Sequence, residues 1–136
     1  MDINELMTGD LVRYEGYIYK VVDIYGDTGI VSLCPIEPKN KDGETLDVLT
    51  MHVKYLDPIP LTAEMLKANL WKNTVWSTIF WKMEIGLFLD IGRFNSWVYD
   101  EYDEEYTAYT CEHVNELQHL LRLYKRYNDA NNFKVI

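Results

Sequence analysis

Short runs of apolar and aromatic residues, separated by glycine and charged turns, fill the first sixty residues of the chain. The four runs are Leu11–Tyr14, Tyr17–Ile24, Ile30–Cys34 and Leu46–Val53. Runs of this length, rich in β-branched and aromatic residues, predict β-strands. Glu15-Gly16 between the first two runs is typical of a tight hairpin turn. Val53-Lys54-Tyr55 predicts a single helical turn after the fourth strand.

Several short strands joined by tight turns are typical of a small barrel. We therefore predict an SH3-like β-barrel over residues 1–60, with a polar loop between Pro35 and Glu44. Pro58-Ile59-Pro60 ends this segment, because an X-Pro bond disfavours continuation of a helix or a sheet. Residues 61–136 then form a second segment, and the two segments could share one compact unit.

The second segment begins with a helix and continues as strands. Thr62 is a good N-cap, Glu64 lies in the first turn, and the helix is expected from Ala63 to about Leu70. The strands that follow are predicted at Val75–Met83, Leu87–Ile91, Ser96–Tyr99 and Tyr106–Tyr109. An antiparallel meander of three or four strands is the simplest arrangement of these runs.

A final amphipathic helix is expected to start near Cys111, with Thr110 as its N-cap. One broad face carries apolar residues, including Leu117, Leu120 and Leu121, whereas Gln118 and Arg122 lie on the opposite face. Polar residues at 128–132 are expected to end this helix. The predicted fold class is α+β: the SH3-like barrel, a helix, the antiparallel β-meander and the C-terminal amphipathic helix.

The charge of the chain narrows the classes of partner. The formal net charge is −9, with −6 from residues 1–60 and −3 from the remainder. Nucleic-acid binding depends largely on neutralising phosphates with basic residues, so this balance disfavours a DNA or RNA partner. It equally disfavours docking on anionic lipid. A basic protein partner is compatible with it.

Cysteine usage and the N-terminal sequence bear on the compartment. Cys34 and Cys111 form no CxxC pair, and we expect both thiols to be free. The first residues lack the features of a signal peptide, and no apolar run is long enough to span a membrane. We therefore expect a cytoplasmic protein with no membrane association.

Two arrangements near the last helix could carry chemistry. Glu112, Glu116 and His119 fall on one helical edge and could meet a metal, although a solvated helix face is the alternative that we favour. Cys111 with His113 could suggest a thiol nucleophile and its base, but residues two apart at a helix start point in different directions. We expect no catalytic residues, no metal and no cofactor.

Two groups of residues are candidates for binding. The tyrosines predicted to line one barrel surface are Tyr14, Tyr17, Tyr19, Tyr25 and Tyr55. Aromatic surfaces of this kind hold extended, proline-rich peptides, although the same rings could serve as core or cross-strand packing. The acidic stretch Asp100, Glu101, Asp103, Glu104 and Glu105 could be a solvated loop or a mimic of nucleic-acid phosphates.

Two further segments carry a resemblance. Leu56-Asp57-Pro58-Ile59-Pro60-Leu61-Thr62, followed by a helix with Leu66, and the run from His113 to Leu120 occur in this order after a strand-rich start. Together they resemble a family of small proteins common in gut-bacterial genomes, often within prophages and mobile elements. This chain has Leu70-Trp71 where the family often has Gly-Phe, and Asn115 where it often has His. The resemblance implies a cytoplasmic, mobile-element setting and brings no activity.

From these observations we expect a non-enzymatic protein-interaction module with an unidentified protein partner. The alternative is an acidic inhibitor that mimics nucleic acid and blocks a host DNA-binding protein. A barrel that binds nucleic acid directly is disfavoured by the charge.

Overall fold

The computed structural model describes residues 1–73, 77–82, 86–99 and 106–135. The chain divides into two compact units, Met1–Ile59 and Pro60–Ile136. Both contain antiparallel sheets, and the described ranges hold few helices, so the predicted α+β class is confirmed. No helix in the described ranges is long and apolar enough to cross a membrane.

The first unit is a four-stranded antiparallel sheet in the order β1-β2-β3-β4. Its strands are β1 (Leu11–Tyr14), β2 (Tyr17–Ile24), β3 (Ile30–Pro35) and β4 (Leu49–His52). Single 3-10 turns cover Ile3–Glu5, Gly26–Thr28 and Val53–Tyr55. The first three strands and the helical turn after β4 match the predictions closely. β4 is shorter than the run Leu46–Val53 predicts.

The strands do not close on themselves in the described residues, so the predicted SH3-like barrel is not confirmed. The outer edge of β1 is nevertheless partly paired. Arg13 and Asp57 exchange both backbone hydrogen bonds, each with an N···O distance of 2.9 Å. This antiparallel bridge brings the chain that leaves the 53–55 turn back beside the first strand.

A β-bulge at Val22 changes which side chains of β2 face the core. Val21 pairs with Leu33 and Asp23 pairs with Ser32, so Val22 is an extra residue with no opposite partner. Val21 is fully buried and Ile24 packs against the same core, although strict alternation would put them on opposite faces. Regular alternation of inward and outward side chains along β2 therefore holds only as far as Val21.

An apolar cluster forms the core between the strands of the first unit. Its buried members are Leu6, Val12, Tyr19, Val21, Val31, Leu33, Val53 and Leu56. Asp10 is buried beside this cluster, and its carboxylate accepts a hydrogen bond from the Met7 N–H at 2.8 Å. The bond gives the buried carboxylate a partner and ties the entering chain to the start of β1.

The second unit contains a five-stranded antiparallel meander in the order β5-β6-β7-β8-β9. The strands are β5 (Lys72–Asn73), β6 (Ile79–Lys82), β7 (Leu87–Asp90), β8 (Asn95–Tyr99) and β9 (Tyr106–Thr110). The helices are α1 (Ala63–Ala68), α2 (Val114–Leu123) and α3 (Tyr127–Asn131). The meander is confirmed, with the two-residue β5 as a strand the sequence did not predict.

The helix boundaries follow their caps. Thr62 caps α1 as predicted, because its hydroxyl accepts the Met65 N–H at 3.2 Å. The predicted start of α2 is wrong: Thr110 belongs to β9, and His113 is the N-cap. The Glu116 carboxylate accepts the N–H groups of Glu112 and His113 at 3.2 and 3.0 Å. It thereby satisfies donors that the helix cannot satisfy itself.

The apolar face of α2 is buried as predicted, with Leu117, Leu120 and Leu121 in the core. Gln118, which was expected on the polar face, is fully buried as well. Its side-chain amide donates to the Ala130 carbonyl at 2.9 Å. Residues 128–131 were expected to end the helix, but they belong to α3. This helix packs over the Gln118 side of α2, which would otherwise be exposed to solvent.

Candidate functional site

Four of the five predicted tyrosines form a group on the first unit, which we term the tyrosine cluster: Tyr14, Tyr17, Tyr19 and Tyr55. The Tyr14 and Tyr19 rings meet edge to face, with 6.3 Å between centroids and 63° between planes. Tyr14 and Tyr17 are half-buried against the core. Tyr14 and Tyr17 contribute to the raised pKa of Tyr19, and Tyr55 contributes to the raised pKa of Tyr14, as expected for neighbouring phenols.

The position of Tyr19 corrects the sequence interpretation. Its side chain is only 3% exposed and belongs to the core, so its ring supports the surface rather than forming it. The sequence could not show this, because Tyr17, Tyr19 and Val21 share a face of β2 whichever way that face points. The inward orientation follows from the sheet packing on Leu33 and Leu56.

Tyr25 lies apart from the cluster. It follows the end of β2 that is opposite to Tyr17, roughly 20–25 Å along the strand. Its hydroxyl is 2.9 Å from the Ser32 hydroxyl, which is 3.1 Å from that of Thr50. These hydroxyl contacts span β3 and β4 on the outer face of the sheet. Tyr25 is therefore not part of the same surface.

Tyr55 is the most exposed ring of the cluster, with 59% of its surface accessible. It lies in the 3-10 turn at 53–55, whose first turn is capped by His52: the ring Nδ1 accepts the Lys54 N–H at 3.1 Å. The Lys54 ammonium lies 5.1 Å from the centroid of the Tyr55 ring. This is the geometry of a cation–π contact, so the ring face already holds a positive charge.

The carboxylates of Glu15 and Asp47, which lie in two different loops, raise the pKa values of tyrosines in the cluster. The charge of Glu15 is the main cause of the raised pKa of Tyr14, and burial and a hydrogen bond to Glu15 add to it. Burial is the main cause of the raised pKa of Tyr19, with Glu15 and Asp47 contributing. Both phenols therefore stay neutral hydrogen-bonding groups at physiological pH, beside a local negative potential.

The loop between β3 and β4, residues 36–48, packs against one side of the cluster. The Tyr17 hydroxyl accepts the Lys41 N–H at 3.2 Å. The loop is shaped by Asn40, whose side-chain oxygen accepts the N–H groups of Asp42 and Glu44, both at 2.9 Å. Asn40 thus makes a turn of the kind that Asx side chains stabilise. The predicted loop between Pro35 and Glu44 is therefore an ordered neighbour of Tyr17.

The arrangement suits binding rather than catalysis. Aromatic faces with neighbouring carboxylates attract cationic groups and flat or ring-shaped apolar groups. Sequence reasoning missed Glu15, Asp47 and Lys54 as members of this site. Glu15 could have been found from its place in the hairpin turn between two tyrosine-bearing strands. Asp47 carries no local signal, because only the fold brings its loop to the cluster.

The other sequence candidates stand as follows. The acidic stretch Asp100, Glu101, Asp103, Glu104 and Glu105 lies outside the described residues, and its role stays a prediction. Within the described part of the chain, no three His, Cys, Asp or Glu side chains are placed to hold a metal ion. In the group Glu112, Glu116 and His119, the Glu116 carboxylate is engaged in capping α2.

The two cysteines differ in environment. Cys34 is exposed and Cys111 is buried, and both are free thiols. Burial, together with the nearby Glu116, raises the pKa of the Cys111 thiol to about 12. A nucleophilic cysteine needs the opposite shift, because the thiolate is the reactive form. Cys111 is therefore a core residue, unsuited to pair with His113 in nucleophilic chemistry.

Comparison of the chain with protein-family models, with curated proteins and with solved structures gives no match.

Proposed function

We propose that this protein is a non-enzymatic protein-interaction module and that its first unit binds an extended peptide segment of a partner. The peptide lies across the tyrosine cluster, with proline or other apolar side chains on the rings of Tyr55 and Tyr14. A lysine or arginine of the peptide meets Glu15 and Asp47. The observation that carries the proposal is the exposed Tyr55 ring holding an ammonium beside a carboxylate-flanked group of tyrosines.

The proposed fold of the first unit supports this mode of binding. We propose that it is SH3-like, on the basis of four antiparallel strands, a 3-10 turn after β4, and the Arg13–Asp57 bridge on the outer edge of β1. Domains of that type bind proline-rich segments on aromatic-lined grooves, where the preformed polyproline helix loses little entropy. The negative charge of residues 1–60 favours a basic peptide over an acidic one.

The origin of the protein belongs to the same proposal. The resemblance of Leu56–Thr62 and His113–Leu120 to proteins of prophages and mobile elements supports a mobile-element origin and a cytoplasmic setting. The partner would then be a host or phage protein with an exposed, basic, proline-containing segment.

A peptide-binding measurement tests the proposal. The probes are fluorescein-labelled ten-residue peptides: one proline-rich with two arginines, one with the arginines replaced by glutamates, and one with the prolines replaced by glycines. We expect saturable anisotropy changes with the first peptide and at least tenfold weaker binding of the second and third. Absence of binding to the first peptide at millimolar concentration would overturn the proposal.

Variants locate the site. Tyr55→Ala should weaken binding of the arginine peptide by tenfold or more, which corresponds to about 1.4 kcal/mol. Glu15→Gln should weaken it less and flatten its salt dependence. Tyr127→Ala is the matched control, because Tyr127 is a similarly exposed tyrosine of the second unit, 55% accessible. Equal binding by Tyr55→Ala and Tyr127→Ala, with native circular dichroism, would exclude the tyrosine cluster as the site.

A further inference from the structure

The second unit contains a cavity of about 230 Å³ between the end of α1, the helix α3 and the strand β6. Trp71, Leu121 and Phe133, all buried, supply apolar walls. Lys82, Asn128 and Asn132 line the same space. The cavity lies below the range of roughly 300–1,000 Å³ typical of pockets for drug-sized ligands, so its occupant would be a small molecule.

Lys82 is the central polar group of this cavity. Its side chain is only 10% exposed. The ammonium has two described contacts: the Asn69 carbonyl at 3.4 Å and a carboxylate oxygen of Asp129 at 3.7 Å. An ammonium group has three N–H donors, and both distances exceed those of a strong charge-assisted hydrogen bond. Lys82 therefore keeps donor capacity in a largely desolvated position that lines the cavity.

Asp129 does not fully neutralise Lys82. Its other carboxylate oxygen accepts a short hydrogen bond from the Arg126 side chain, 2.6 Å from Nε. One carboxylate is thus shared between the side chains of Lys82 and Arg126. A buried cation is stabilised when an anion approaches it, because desolvation makes the attraction stronger than in water.

The rim of the cavity carries a strained apolar residue. Leu70 lines the cavity with 82% of its surface exposed, and its backbone is left-handed with φ +66°. It follows the C-terminus of α1, where the Leu70 and Trp71 N–H groups bond to the Lys67 and Leu66 carbonyls. Glycine is the usual residue at such a position. A leucine here accepts strain without burying its side chain, which is expected if the side chain serves a ligand.

We propose that this cavity binds a small organic monoanion. Its carboxylate accepts hydrogen bonds from the Lys82 ammonium, and its apolar part lies against Trp71 and Phe133 beneath Leu70. A carboxylate fits better than a phosphate, because Asp129 beside Lys82 repels a dianion about twice as strongly as a monoanion. The Asn128 and Asn132 side chains at the opening can donate further hydrogen bonds. This site lies in the second unit and does not depend on the peptide-binding proposal.

The test is a titration of the whole protein followed by amide chemical shifts in ¹H–¹⁵N spectra. The probes are sodium benzoate, the neutral isostere benzamide, and inorganic phosphate. We expect saturable shifts at Asn69, Trp71 and Asn128 with benzoate, and at least tenfold weaker binding of benzamide and phosphate. Lack of saturable shifts with benzoate would overturn the proposal, and so would phosphate binding as tight as that of benzoate.

Variants make the assignment specific. Lys82→Met removes the charge and keeps the side-chain length, and it should weaken benzoate binding at least tenfold. Lys67→Met, an exposed lysine on α1, removes the same charge and should change binding less than twofold. If Lys82→Met does not fold, Asn128→Asp serves instead, because it places a negative charge at the exposed opening and should weaken benzoate at least fivefold. Unchanged binding in the folded variant would overturn the proposal.

Discussion

The rings of Tyr14 and Tyr19 meet edge to face, with 6.3 Å between their centroids. One partner is a core residue and the other is half-buried beside the exposed Tyr55. Pairs in this geometry contribute about 0.5–1.5 kcal/mol beyond the area that they bury. The pair therefore connects the stability of the first unit to the surface on which we place the peptide, and a bound peptide should slow local opening of β1 and β2.

Truncating Tyr19 should unfold the first unit far more readily than truncating an exposed tyrosine. Tyr19→Ala leaves a large cavity beside Val21 and Leu33 and should lower the free energy of unfolding by about 3–5 kcal/mol. Tyr25→Ala, the control, removes the hydroxyl contact with Ser32 and a ring that is 45% exposed, and should cost about 1 kcal/mol. Urea unfolding followed by circular dichroism measures both. Equal costs would show that Tyr19 is not a core residue.

Gly29 and His52 form a steric pair that a double-mutant cycle can measure. Gly29 has φ +78°, and an added Cβ would lie 2.5 Å from Nε2 of His52. Gly29→Ala should cost about 2 kcal/mol, from backbone strain together with displacement of the imidazole. In the His52→Ala background only the strain remains, so the cost should fall by about 1 kcal/mol. Strictly additive costs in chemical denaturation would contradict the contact.

Leu70 offers the opposite case, a substitution that stabilises. Leu70→Gly removes a side chain from a left-handed position where it is almost wholly exposed. Relief of strain should exceed the added freedom of the unfolded chain, and we expect a gain of about 1 kcal/mol. Thermal unfolding should show a higher midpoint than for the native protein. A lower midpoint would mean that Leu70 packs in a way that its exposure does not reveal.

The buried thiol of Cys111 predicts a loss of stability at alkaline pH. Its pKa in the folded protein is about 12, above the value of 9.0 for a free thiol. The folded state therefore keeps a proton that the unfolded chain releases, so this contribution is intact below pH 9 and declines as pH rises towards 12. Between pH 8 and pH 10 the free energy of unfolding should fall by about 1.4 kcal/mol through this thiol.

A Cys111→Ala variant isolates that contribution. The fall in unfolding free energy from pH 8 to pH 10 should be about 1.4 kcal/mol smaller in the variant than in the native protein. Cys34→Ala, which removes the exposed thiol, should leave the fall unchanged. Thiol labelling at pH 8 provides a second check, because Cys34 should react quickly and Cys111 only on unfolding. Rapid labelling of both thiols would contradict the burial of Cys111.

The strands and the first helix were predictable because their signals are local. Glycines mark the turns, and Thr62 caps α1 as its side chain predicts. The predictions fail where the burial of a side chain depends on segments that are distant in the sequence. The face of β2 that turns inwards depends on β3, and the burial of Gln118 depends on α3 packing over α2. The helix α2 begins after His113 rather than after the predicted cap Thr110, because the Glu116 carboxylate accepts the His113 N–H.

The candidate sites were predictable to different degrees. Tyrosine content pointed to an aromatic surface, and four of the five chosen rings are neighbours, although only three of those four have exposed area. The cavity around Lys82 gave no signal at all in the sequence. Its walls come from α1, β6 and the last two helices, which are distant in the sequence. A lysine within a strand is usually exposed to solvent, so nothing in the sequence marks Lys82 as buried.

Because Val22 is an extra residue, the side chains of β2 that face the core change from odd-numbered positions up to Val21 to the even-numbered Ile24 after it. Deleting Val22 would leave Val21, Asp23 and Ile24 opposite Leu33, Ser32 and Val31 in a regular ladder, with Ile24 still facing the core and Asp23 still facing water. Substituting Val22 keeps the bulge, and Val21 and Ile24 still face the core. The bulge thus offers a position where the surface of the first unit can diversify while its interior stays fixed.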